Sequence, residues 1–101
     1  MIAKENFVTN VCQKAQILDV GQYLDIRSYK RNRSVLLIRL QNGYRLIENG
    51  FRKLDINLDF DELKSTLKTI ERIEFPRSHA IRIYKMDNFD ETKINLKRKK
   101  L

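Results

Sequence analysis

Between residues 23 and 58 the sequence alternates apolar and polar side chains in four runs separated by turn signals, a pattern that leaves little choice but an antiparallel sheet. In "YLDIRSYK", Leu24 and Ile26 fall on one side while Tyr23, Asp25, Arg27 and Tyr29 fall on the other, the period of two of a half-buried strand. "KRNRS" follows as a polar turn. "VLLIRLQ" at 35–41 is the second strand, with Leu36, Ile38 and Leu40 assigned to the core face and Leu37 and Arg39 to the opposite one. The "NG" at 42–43 signals a hairpin into "YRLIE", and "NG" recurs at 49–50. "RKLDINL" at 52–58 alternates again, with Leu54, Ile56 and Leu58 inward and Lys53, Asp55 and Asn57 outward.

The period then changes. Asp59 with Glu62 resembles a capping box, and Phe60, Leu63, Leu67 and Ile70 recur at spacings of three and four, continued by Ile73 or Glu74. Lys64, Lys68 and Arg72 point away from that stripe, and Pro76 ends the helix. "AIRIYKM" at 80–86 returns to a strand, "MDNFDET" connects, and "KINLKRKKL" completes a hairpin with a basic tail. Residues 7–18, "FVTNVCQKAQIL", mix both periods and read as a strand or irregular entry. The expected fold is therefore α+β: an antiparallel β-sheet of about four strands followed by one amphipathic helix, plus an extra C-terminal β-hairpin. At 101 residues this is one domain, with a core at 22–75 and a β extension at 76–101.

Several functions are disfavoured. His79 is the one histidine and Cys12 the one cysteine, the carboxylates do not cluster, and the three glycines are isolated, so a zinc site, a Cys–His nucleophile and a phosphate loop all lack their residues. Asp87, Asp90 and Glu91 lack the spacing of a calcium loop and read as a solvated acidic turn. The expectation is no enzyme, no metal and no cofactor. A lone Cys12 forms no internal disulfide and reads as a small half-buried apolar residue in an intracellular chain, and no window is long and apolar enough for a membrane span or a signal peptide.

What remains is charge. Lys and Arg number 21 against 13 acids, for a net charge of +8, which makes a polyanion the leading kind of partner. If Leu24, Ile26, Leu36 and Ile38 are buried, Arg27, Tyr29 and Arg39 emerge together, with Lys30, Arg31 and Arg33 at the hairpin tip. Lys53 joins that face, with Phe51 and Arg52 at its entrance. Cations that track phosphates among rings that stack on unpaired bases suit single-stranded nucleic acid. The plainer alternative is that Tyr23 and Tyr29 only cover the sheet as β-formers while the charges solubilise it.

Residues 22–72 resemble the single-stranded-DNA-binding transcription coactivators typified by positive cofactor four. The resemblance is carried by "QYLDIRSYKRN", by the strand ending in Ile38 and Arg39, and by "RKLDINLDFDELKSTLKTI". It implies a homodimer with helices packed together through Phe60, Leu63, Leu67 and Ile70, and β-ribbons that form channels for unpaired DNA. It implies Arg27, Tyr29 and Lys30 as strand-end cation, stacking ring and adjacent lysine, Arg39 and Lys53 as further cations, and Arg31 and Arg33 in the turn. The family's second aromatic falls on Asn42, with Tyr44 the nearest substitute. The expected function is non-enzymatic binding of single-stranded DNA with low sequence specificity, in contact with the transcription machinery. RNA on the same surface, or an adaptor docking on an acidic protein such as a polymerase subunit, is the alternative. The nucleoid, the nucleus and a viral replication site are all compatible locations.

Overall fold

The computed structural model describes residues 2–28, 34–75 and 80–90, with side chains at 5–28, 34–75 and 81–90. The chain runs β1 (Ile2–Ala3), a 3-10 turn (Lys4–Asn6), α1 (Phe7–Gln16), β2 (Tyr23–Ser28), β3 (Ser34–Leu40), β4 (Gly43–Asn49), β5 (Lys53–Leu58), α2 (Phe60–Glu74) and β6 (Ala80–Met86). It is α+β. The strands form one antiparallel sheet in the order β1-β6-β2-β3-β4-β5, in which β1 is a two-residue edge piece and the other five are the sheet proper.

The four alternating runs are β2 to β5, and α2 follows them as the period implies. Asp59 caps α2 with the expected box: the Glu62 N–H donates to the Asp59 carboxylate at 2.9 Å, and the Asp59 N–H to the Glu62 carboxylate at 3.0 Å. β6 matches its sequence reading but pairs with β2, so it widens the sheet on the far side from α2's own neighbour, β5. The second strand of the expected C-terminal hairpin lies outside the described residues.

Residues 7–18 correct the sequence reading. Phe7, Val11, Ala15 and Leu18, at spacings of four, four and three, are all buried on one side of α1, so the segment is a helix where a strand or irregular entry was expected. It lies beside α2, with Phe7 and Phe75 edge to face at 5.7 Å. Both helices cover one face of the sheet, where they bury Leu24, Ile26, Val35, Leu37, Tyr44, Leu46 and Leu58.

The opposite face is the second correction. Tyr23, Leu36, Ile38 and Ile47 form a separate buried cluster there, joined by Leu40 and Phe89. The assignment of Leu36, Ile38 and Leu40 to the same face as Leu24 and Ile26 is thus reversed: Leu24 stands opposite Leu37, and Ile26 opposite Val35. The central strand β3 is buried on both faces from Val35 to Ile38. Alternation carries no face label in such a run.

Gly43 opens β4 at φ +151°, where an added Cβ would stand 2.7 Å from the Leu58 carbonyl oxygen. That contact is to backbone, which cannot swing away. Gly43→Ala is expected to lower stability by about 1–2 kcal/mol, read by thermal unfolding. An unchanged melting temperature would mean that the turn relaxes freely.

Candidate nucleic-acid interface

Strand register sorts the expected site residues by face. Arg27 and Lys53 lie on the sheet face away from the helices, as expected, in the same transverse row as Arg82, Ser34 and Asn49. Arg39 does not. It stands opposite Tyr44 on the helix face, its guanidinium 5.0 Å from the Tyr44 ring centre, and Nη1 donates to the Tyr44 hydroxyl at 2.8 Å. That hydroxyl donates in turn to the Ala15 carbonyl at 2.9 Å and ties α1 to β4. Tyr44 is fully buried, so it is a core residue and not the surface aromatic expected of it. The shift follows from β3: once Val35 and Leu37 face the helices, period two carries Arg39 with them.

Tyr29, Lys30, Arg31 and Arg33 lie outside the described residues. Ser28 and Ser34, which bracket them, sit at the same end of the sheet as Lys53 and Arg82. The stripe assigned to a dimer is used within the chain: Leu63, Leu67 and Ile70 are 0% exposed, packed against the sheet and α1, and only Phe60 reaches the surface, tilted over Tyr44.

The open face is less freely basic than alternation suggests. Asp25 holds Arg27 through two contacts at 3.0 and 3.1 Å and raises its already high pKa. Asp55 holds Arg45 at 2.9 and 2.6 Å, and that guanidinium keeps the Asp55 carboxyl below its ordinary value. Tyr23 belongs to this face but is covered by Phe89, edge to face at 5.4 Å. Tyr84, 40% exposed beside Arg82 and opposite Asp25, is an aromatic on this face that the sequence reading did not single out.

Charge is instead sorted along the strands. At one end the connections are residues 17–22, 41–42, 59 and 87–90, which carry Asp19, Asp59, Asp87 and Asp90 and no lysine or arginine; Asp61 and Glu62 in the first turn of α2 add to them, and Lys14 in the last turn of α1 offsets them in part. At the other end the β4–β5 turn carries Arg52 next to Lys53, and the α2 terminus carries Arg72. The sequences of 29–33 and 76–79, which lie outside the described residues, contain Lys30, Arg31, Arg33 and Arg77 and no acid. Among the described residues, Glu5 and Glu71 are carboxylates that reach the surface at this end.

Two further carboxylates are buried there, and sequence reasoning missed their partnership. Glu48 in β4 and Glu74 in α2 are each 1% exposed and hydrogen-bonded to one another. Glu74 accepts the Phe51 and Arg52 backbone N–H groups at 2.8 and 3.3 Å, while Glu48 accepts Nε of Arg52 at 2.9 Å. Burial first, then the bond to Glu74, pushes the Glu48 carboxyl from an ordinary 4.5 to about 7, against the opposing pull of Arg52. Cys12 is half-buried and burial pushes its thiol up, which suits a packing role. No family model matches the chain, and no curated protein or solved structure is significantly similar to it.

Proposed function

We propose that this chain is a non-enzymatic protein that binds unpaired nucleic acid, single-stranded DNA foremost, through the basic end of its sheet. One observation carries the reading: among the described residues the connections at one end of the strands carry Asp19, Asp59, Asp87 and Asp90 with no lysine or arginine, whereas the β4–β5 turn at the other end carries Arg52 and leads directly into Lys53, a charge pattern that favours approach of a phosphate backbone from that side. Lys53 and Arg82 flank that end, Arg27 lies in the row between them, and Tyr84 offers a ring on the same face. The order of four strands and a helix agrees with the resemblance to the positive-cofactor-four coactivators, whereas Arg39 and Tyr44 are withdrawn from the proposed surface. A homodimer of this chain would have to use a surface other than the α2 stripe, because that stripe is already buried.

Fluorescence anisotropy with labelled unpaired DNA, unpaired RNA and duplex DNA across a salt series tests this. Tighter binding to unpaired strands is expected. Lys53→Ala and Arg82→Ala are each expected to flatten the dependence of log affinity on log salt by about 0.7, the share of one phosphate contact on a single strand. Equal affinity for duplex and unpaired strands, or no binding at all, would favour the adaptor alternative. Preference for RNA would keep the surface and change its ligand.

A further inference from the structure

The β4–β5 turn is held by more than a hairpin needs. Its backbone already closes through the Gly50 N–H and the Arg52 carbonyl at 3.2 Å. In addition, Glu74 reaches from α2 to accept two backbone N–H groups of the turn, and Glu48 grips the Arg52 guanidinium from below. Burying carboxyl groups is unfavourable unless their bonds compensate, so a turn fixed this way is stiff. What it presents is Phe51, 76% exposed, followed in sequence by Arg52 and Lys53. Exposure this high leaves the ring little role in the core.

We propose that Phe51 is a base-stacking platform: an unpaired nucleobase packs on its ring while Lys53 and the outward side of Arg52 take the adjoining phosphates. This rests on the nucleic-acid reading above and adds the residue that recognises the base. Stiffness matters because a ring carried on an anchored backbone has less freedom left to lose when a base stacks on it. Stacking on an aromatic side chain is indifferent to base identity, which fits a strand taken without sequence preference.

The parent protein is first titrated with an unpaired DNA oligonucleotide. Phe51→Ala is then expected to weaken binding between about fivefold and a hundredfold, with the salt slope kept, since a ring and no charge is removed. On an abasic strand of equal length the variant and the parent should bind alike. The chain contains no tryptophan, so Phe51→Trp places a single reporter at the tip. Its fluorescence should be quenched by the unpaired oligonucleotide and not by the abasic one. Ile17→Ala, exposed at the opposite end, should bind like the parent. If the parent binds, either full affinity of Phe51→Ala or an unquenched indole overturns the platform and leaves the broader reading standing. If the parent does not bind unpaired strands, both are overturned at the first titration.

Discussion

Leu67→Ala is expected to lower stability by about 3 kcal/mol and the melting temperature by 15 °C or so, without changing the oligomeric state. Leu67 is 0% exposed at the centre of the α2 stripe, among side chains of the sheet and α1. Removing its branched end leaves a cavity that a clamped two-layer core fills poorly, and cost rises with the volume left empty. A domain of this size holds only about 5–15 kcal/mol, so the loss is a large fraction of the whole. The experiment also separates two architectures. Were the stripe an interface between subunits, the variant would dissociate, and its melting temperature would depend on protein concentration. Urea unfolding with light scattering on the same samples decides, and a loss below about 1 kcal/mol or a change of assembly would refute the packing described.

The second large effect is a pH dependence centred on Glu48. Its folded pKa, about 7, lies above the ordinary 4.5, so the folded chain binds the extra proton. Stability from this group is therefore full below about pH 4.5 and is lost as pH rises through about 7. The amplitude is on the order of 2 kcal/mol, given that one pKa unit corresponds to about 1.4 kcal/mol and that Arg52 shares the charge. Glu48→Gln keeps a donor for Glu74 and an acceptor for Arg52 but cannot ionise. Urea unfolding from pH 5 to pH 8 should show the parent weakening and the variant nearly flat, the two curves approaching or crossing toward pH 8. Parallel curves would place the pH dependence elsewhere. Asp55 acts in another window: its lowered pKa gives a contribution present above about 3.8 and lost in acid.

Much of the sheet is legible in the sequence because strands with one covered face advertise it. β5 is the plain case: Leu54, Ile56 and Leu58 turn inward and Lys53, Asp55 and Asn57 outward, as alternation requires. Asp59, Glu62 and Pro76 likewise mark the limits of α2 by local chemistry alone. β3 is the opposite case. "VLLI" is apolar on both sides, and only pairing with β2 and β4 decides which side meets the helices, so Arg39 could not be placed from its own neighbours. The helix at 7–16 was written in the spacing of Phe7, Val11, Ala15 and Leu18, but Val8 and Cys12 blurred the stripe.

The site divides in the same way. Lys53 and Arg27 follow from alternation, whereas Tyr44 lost its expected exposure through a long-range contact with Ala15, 29 positions earlier. Glu48 and Glu74 are 26 positions apart, and although Glu74 could extend the α2 stripe, nothing local pairs the two until the end of α2 meets the β4–β5 turn. Phe51 stood in the sequence at the entrance of the basic face, but the anchoring of its backbone by Glu74, 23 positions away, did not show there.

Among the described residues, the acidic connections at one end and Arg52 and Lys53 at the other set up an electric dipole along the strands, to which the two antiparallel helices α1 and α2 contribute with opposite signs. In the field of any polyanion such a body feels a torque as well as an attraction, so it turns basic end first before it touches. Strands of six or seven residues separate the two ends by roughly 20 Å, more than twice the ~8 Å over which physiological salt screens charge. On a polyanion docked as proposed, the acidic end would lie beyond the reach of its repulsion, so the orientation that would speed the approach would not weaken the hold.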